Sequence, residues 1–313
     1  MQRTLIIYES EYGSTEKTAK ILSLILGPAK YCKTNEFMEE YKDFDFIIIG
    51  SPVYNGKFLP KLSEFINENL SWLNEKSIAL FSTSLSIIDG NDNLKAIEKL
   101  LKNVVSKKAL VGKLELNKLS QRDSDALKVF SKQLGMELGN VNNFKMEEVV
   151  NYALELKALK ESLILKYSAH ELKNMIEEFL SNHNTCILST SFKERVRSTP
   201  IEYNYFDGDI YLLSEGGEKF ANILLNNNVS IAVYEDYTTM NNLAGMQITG
   251  KISIIEDKEE YIKIIKKKGL NIKFIEKMPV NMNIIKIKIK KIEFLYSKFK
   301  EMGFEPKQIL EFE

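Results

Sequence analysis

Three short runs of uninterrupted apolar character, Thr4 to Tyr8, Phe46 to Gly50 and Ile78 to Phe81, limit the folds open to this chain more than any other feature. A strand with one wet face alternates apolar and polar residues; these runs do not, so both of their faces are buried. Each is followed by a loop and then by apolar residues at helical spacing, as with Ala19, Leu22, Ile25 and Leu26 ahead of Gly27-Pro28. Strands of this kind alternating with helices make an α/β doubly wound parallel sheet. The loops leaving the carboxyl ends of its strands converge at one edge, where ligands sit near the point at which strand order reverses.

The first of these loops, Ser10-Glu11-Tyr12-Gly13-Ser14-Thr15, is rich in small and hydroxyl-bearing residues and opens a helix. Unpaired N–H groups at a helix N-terminus carry partial positive charge, and Ser and Thr add donors, so a phosphate can rest there without a lysine. The loop lacks the Gly-Lys-Ser/Thr ending that brings a lysine onto a nucleotide's terminal phosphates. It also lacks the three spaced glycines of a dinucleotide fold. An ordinary Ser/Thr-capped helix after a strand is the alternative reading.

The pattern Tyr8-x-Ser10-x-x-Gly13-x-Thr15-Glu16-x-x-Ala19 resembles the flavodoxin family, and the resemblance implies that Ser10, Glu11, Tyr12, Gly13, Ser14 and Thr15 hold the phosphate of FMN. It further implies that Ser51, Pro52, Val53, Tyr54, Asn55 and Gly56 in the second loop, and Thr83, Ser84, Leu85 and Ser86 in the third, flank the flavin ring. Tyr54 is the expected stacking residue, since an aromatic face on a flavin contributes roughly 1 kcal/mol beyond area burial. The third loop has neither Trp nor Tyr, which leaves one ring face open to a reactant. The stretch Leu110 to Leu119 is similar to that of the menaquinone-dependent protoporphyrinogen oxidase group.

From Met146 to Leu165 the pattern is helical and charged, a helix or helix pair rather than a flexible tether. Ser168 with Glu171 then reads as a capping box opening a helix through Leu180. These features divide the chain into domains 1–162 and 163–313. Beyond Thr185 short β-type runs follow one another: Cys186 to Ser191, Arg197 to Tyr205, Ile210 to Ser214, Val229 to Tyr234, Met246 to Ile255 and Ile284 to Phe294. Asp207-Gly208 marks a tight hairpin. Ile285, Ile287 and Ile289 alternate with Lys286, Lys288 and Lys290, which places the isoleucines in a core and the lysines in water.

The succession Cys186 to Thr190, Arg197 to Ile201, Asp207 to Leu213, Glu218 to Phe220, Val229 to Val233 and Gln247 to Gly250 resembles the pyridoxamine 5'-phosphate oxidase-like split barrel. The expected fold is thus a flavodoxin-like α/β doubly wound parallel sheet followed by a mostly antiparallel β split barrel with helices. In the barrel family FMN lies across a dimer interface. By position Arg197 and Lys219 would contact its phosphate, Ser198, Thr199 and Ser214 would line it, and Gln247 would reach the ring. An Arg fork and a Lys point charge suit a phosphate. Glu202, Glu215 and Glu218 stand close in sequence and oppose an anion if they face inward.

Composition removes other classes. Lys plus Arg equals Asp plus Glu at 43 each, which gives no broad basic footprint for nucleic acid or an anionic membrane. The two cysteines, Cys32 and Cys186, form no redox pair in sequence and fit a reducing, cytoplasmic setting, and no apolar run approaches the ~20 residues of a membrane span. His170 and His183 complete neither a metal site nor a nucleophile-base pair.

The expected protein is an FMN-binding oxidoreductase or electron-transfer protein with a small-molecule or protein redox partner. It would form a homodimer through the barrel, with electrons passing between two flavins if both sites fill. A quinone-coupled dehydrogenase of the protoporphyrinogen oxidase kind and a non-enzymatic FMN-binding carrier stand as alternatives. No residue is assigned a catalytic role.

Overall fold

The computed structural model describes residues 2–54, 56–134 and 137–312, the side chains of 130, 133 and 134 apart. The chain divides into two compact units, Met1–Ile164 and Leu165–Glu313.

The first unit contains β1 (Thr4–Tyr8), α1 (Ser14–Ile25), β2 (Ala29–Lys33), β3 (Phe46–Tyr54), β4 (Lys57–Phe58), α2 (Pro60–Leu73), β5 (Ser77–Ser84) and α3 (Ile87–Glu98). It continues with β6 (Val104–Val111), β7 (Lys113–Leu114), α4 (Gln121–Leu134), β8 (Val141–Asn142) and α5 (Met146–Ser162). Five strands pair in parallel in the order β2-β1-β3-β5-β6, so strand order reverses between β1 and β3. The three continuous apolar runs form the centre of this sheet. Its edges, β2 and β6, are missed by that criterion because lysines interrupt them, Lys30 and Lys33 in one and Lys107 and Lys108 in the other. Charged residues on edge strands discourage pairing with foreign strands.

Each central strand feeds two cores because successive side chains point to opposite faces. Leu5, Ile7, Ile47, Ile49, Ile78 and Leu80 pack with α2 and α3 through Leu62, Ile66, Leu94 and Ile97. Ile6, Tyr8, Phe46, Ile48, Ala79 and Phe81 pack with α1 and α5 through Ala19, Leu22, Val149 and Leu156. Gly50 makes the second core possible: a Cβ there would lie 2.1 Å from ring atoms of Phe81. At the end of α5 the buried Lys160 Nζ donates to Thr4 Oγ1 at 2.8 Å and to the Leu26 carbonyl at 3.1 Å.

Two expectations about strand ends are corrected. Ser51, Pro52, Val53 and Tyr54 belong to β3 rather than to a loop, since β3 stays paired with β5 through Pro52 and then pairs with β4, Val53 opposite Phe58 and Tyr54 opposite Lys57. Thr83 and Ser84 close β5, where Thr83 pairs with Pro52.

The second unit contains α6 (Ala169–Asn182), β9 (Thr185–Phe192), β10 (Arg195–Glu202), β11 (Asn204–Phe206), β12 (Asp209–Ser214), α7 (Lys219–Ile223), β13 (Asn228–Tyr234) and β14 (Ala244–Ile254). After these come α8 (Lys258–Lys267), α9 (Ile272–Ile275), β15 (Asn283–Tyr296), α10 (Lys298–Glu301) and β16 (Lys307–Glu311). All strand pairs are antiparallel, in the order β10-β9-β13-β14-β15-β12-β11, with β16 on β15. The two ends of this path, β10 and β11, are joined by Tyr203 alone, so the sheet must curl until its ends meet, as a split barrel does. Tyr203 is buried; its N–H donates to the Asn184 carbonyl at 2.7 Å and its hydroxyl to the Leu180 carbonyl at 2.8 Å.

The run expected from Arg197 to Tyr205 is therefore two strands on opposite ends of the sheet. The capping box at α6 is not formed either: Ser168 is the N-cap residue, but its side chain makes no cap hydrogen bond. Ile285, Ile287 and Ile289 are buried as the alternation implies, while Lys286 is drawn partly inward onto Glu260 (3.1 Å) and Asp209 (3.5 Å). Among the described residues no helix is long and apolar enough to cross a membrane.

Replacing Gly50 with Ala should destabilise the first unit by about 1–3 kcal/mol, the usual cost of overpacking a filled core, read as a lower denaturation midpoint in urea.

Candidate functional site

The carboxyl edge of the first sheet gathers the ends of β1, β3, β5 and β6 at the reversal of strand order. Gly13, at φ +89°, turns the chain from β1 into α1. This left-handed conformation suits Gly, and with no side chain Gly13 cannot cap the helix itself. The N–H groups that open α1, from Ser14, Thr15 and Glu16, precede the first intrahelical bond, made by Lys17 N to the Gly13 carbonyl at 2.9 Å.

The hydroxyls around them are oriented by backbone amides that donate to them. Ser10 Oγ accepts from Gly13 N at 3.1 Å, and Ser14 Oγ accepts from Lys113 N at 3.2 Å. A hydroxyl whose oxygen takes a backbone N–H still has its own hydrogen to donate, so both can donate to an anion. Thr15 Oγ1 and Thr83 Oγ1 are buried 2.7 Å apart, joining the first loop to the end of β5. Gly112 N donates to the Ser84 carbonyl at 2.9 Å, and a Cβ on Gly112 would lie 3.4 Å from Ser14 Oγ. The chain after β6 is thus seated tightly on the first loop.

Lys113 places its ammonium 3.1 Å from Glu115 rather than on the loop, and Lys118 and then Lys113 hold the Glu115 carboxyl below its usual range. The first loop is therefore an amide and hydroxyl cradle in its chemistry.

The remaining expected residues divide by position. Tyr12 and Tyr54 meet edge to face, with ring centroids 5.5 Å apart. Burial pushes the Tyr54 phenol well up, with the nearby Glu11 carboxylate adding to the effect and the Tyr12 backbone opposing it. Ser51 Oγ is fully buried and accepts from Leu59 N at 3.3 Å, a hairpin role. Pro52 is buried and Val53 half-buried. Gly56 is exposed, its carbonyl accepting from Asn93 Nδ2 at 2.9 Å, and Asn55 lies outside the described residues. Ser84 Oγ donates to the Ser86 carbonyl at 2.5 Å, Ser86 Oγ caps α3 by accepting from Asp89 N, and Leu85 is exposed.

Four residues that build this edge were not anticipated. Lys113 acts through its backbone, Asn93 ties α3 to the β3-β4 turn, and Asp123 with Ser120 engages the Tyr12 hydroxyl. Only Gly112, at a strand end, carried a local signal for any of them.

In the second unit the six expected residues do not share one wall. Arg197 and Thr199 align with the buried partners Thr190 and Leu188, whereas Ser198 pairs with Ser189 and so points to the opposite face of β10. Gln247 is exposed on β14, opposite Ala232. Arg197 Nη1 lies 2.8 Å from Glu218 Oε2. Lys219 Nζ donates to the Gly216 carbonyl, which also accepts from Ser214 Oγ at 3.2 Å. Burial pulls the Lys219 ammonium down, partly offset by Glu215. Arg197, Ser214 and Lys219 thus meet at the Glu215–Glu218 loop, and each spends one donor there on a group of this chain.

The buried threonine pair gives a test of the first site. Thr15→Val should cost about 1–3 kcal/mol by leaving the Thr83 hydroxyl without its partner, and Thr15→Val with Thr83→Val should cost less than the single change. Urea denaturation of the three proteins reads this.

The family model of the flavodoxin domain matches residues 5–137, and that of pyridoxamine 5'-phosphate oxidase matches residues 172–296. No curated protein matches the chain. Among solved structures, a protein from Listeria innocua named for pyridoxamine 5'-phosphate oxidase is 21% identical, with 40% of this chain and 98% of that one covered and a TM-score of 0.33. An FAD-binding protein from Mesorhizobium loti is 18% identical over 42% and 95%, TM-score 0.31, and General Stress Protein 26 from Bacillus anthracis is 20% identical over 45% and 98%, TM-score 0.34. The finer likeness to the protoporphyrinogen oxidase group is not carried by these matches. The chain joins a flavodoxin domain to a pyridoxamine 5'-phosphate oxidase-like domain.

Proposed function

We propose that the chain is an FMN-dependent redox protein, an electron-transfer protein or oxidoreductase, whose flavin is held by the first domain. The observation that carries this reading is the cradle of free α1 N–H groups and oriented Ser10 and Ser14 hydroxyls at the reversal of strand order. Its donors fit a phosphate monoester, and no lysine has to be displaced to admit one. Tyr54 supplies an aromatic wall, and Leu85, Ile87 and Ile88 an exposed apolar rim across the same edge. The flavin, when bound, supplies the electron chemistry; the residues named here bind its phosphate, orient it and limit water.

The reading keeps the division at 1–162 and 163–313, each part folding on its own core. The second domain is the dimerising part in this reading, with Val196, Leu224 and Leu225 exposed on its surface. A second flavin phosphate at these residues would compete with Glu218 for Arg197 and with the Gly216 carbonyl for Lys219. A small-molecule or protein partner exchanges electrons at the rim of the first site.

Flavin counted per chain by visible absorption, and identified by chromatography after release, tests the reading. One equivalent of FMN supports it, two equivalents add a barrel site, FAD changes the cofactor, and protein that binds no flavin overturns it. Ser14→Ala should weaken FMN about tenfold, equivalent to ~1.4 kcal/mol, and leave riboflavin, which lacks the phosphate, unchanged in fluorescence titrations.

A further inference from the structure

We infer that Tyr12 is a latch that couples the phosphate loop to α4. This inference rests on the flavin reading above and adds to it a second segment that senses the cradle.

The chain between β7 and β8 leaves the sheet and returns, pinched at its base where Lys113 pairs with Asn142 and Leu114 with Val141. The base itself sits on the first loop through Lys113 N and Ser14 Oγ. Further out, the Tyr12 hydroxyl donates to Asp123 Oδ2 and accepts from Ser120 N at 3.2 Å. Ser120 and Asp123 in turn cap the start of α4, with Asp123 N donating to Ser120 Oγ at 3.1 Å and Ser120 Oγ donating to Asp123 Oδ2 at 2.9 Å. One phenol from the middle of the phosphate loop therefore completes the N-terminal cap of a helix 108 residues later in the sequence.

Among residues 121–128, only Asp123, Ser124 and Leu127 are half-buried, and the rest of these first two turns of α4 is exposed. Gln121 and Arg122 are exposed, Asp125 is engaged with Gln121 and Lys128 on its own helix, and Val129 is exposed. The Tyr12 ring is fixed at its other side by Tyr54. A ligand that orders residues 10–15 must then also order the phenol, and with it the start of α4. By linkage, holding α4 in place must tighten the ligand equally. Tyr12 is a positioning residue in this scheme, since its side chain reaches α4 and not the phosphate.

The test uses the full chain, Tyr12→Phe, Asp123→Asn and the double variant, with amide exchange at 120–125 and FMN and riboflavin titrations as readouts. Without ligand, exchange at 120–125 should be faster in Tyr12→Phe than in the parent, because the Ser120 N–H has lost its acceptor. FMN should slow exchange there in the parent and not in Tyr12→Phe, and should bind each single variant about fivefold more weakly, the factor one hydrogen bond of ordinary net strength supplies. The double variant should lose no more than a single one. Exchange at 120–125 indifferent to Tyr12→Phe overturns the latch whether or not flavin binds. FMN bound equally well by all four proteins overturns the coupling while sparing the flavin reading; FMN bound by none of them overturns both.

Discussion

Parallel pairing is the constraint from which the first domain follows. Adjacent parallel strands cannot be joined by a tight turn, so the chain crosses a face of the sheet as α1, α2 and α3 after β1, β3 and β5, with only two short 3-10 turns between β2 and β3, and every strand delivers its next loop to the same edge. Burial on both faces then requires the uninterrupted apolar runs of β1, β3 and β5, and it crowds the interior until Gly50 must give up its side chain to the Phe81 ring. The edge has the opposite character. It is where strands run out of covering helices, where Ser10, Ser14, Thr15 and Thr83 replace isoleucine, and where unpaired amides collect.

The centre of this architecture was legible in the sequence because a continuous apolar run has few alternative readings. The margins were less so. Lysines in β2 and β6 mimic loop composition, although an edge strand carries them for its own protection. Ser51 to Tyr54 looks like a loop because it opens on the turn formers Ser51 and Pro52, and Thr83 to Ser84 because it is small and hydroxyl-bearing, yet both remain in strands. The cradle was readable from one local segment. Its support from Lys113 and Asp123 was not, since contacts 99 and 111 residues away leave no periodic trace.

The second domain shows a different limit. Its strands follow from alternation, and the Asp207-Gly208 turn lies between β11 and β12. Grouping Arg197, Ser198 and Thr199 as one wall, however, conflicts with that same alternation, which sends neighbours to opposite faces. Glutamates written beside the basic residues were also significant: Glu218 takes up Arg197. Proximity in sequence indicated the loop where these groups meet, and only the fold indicated that they meet each other.

The bonds from Lys160 to Thr4 and Leu26 bring the last turn of α5 against the beginning of β1. The first domain is therefore closed like a ring, its exit beside its entrance. Such a unit can be appended to another protein, or reopened elsewhere along its backbone as a circular permutant, without cutting through its cores, which is the physical condition under which domains become exchangeable parts.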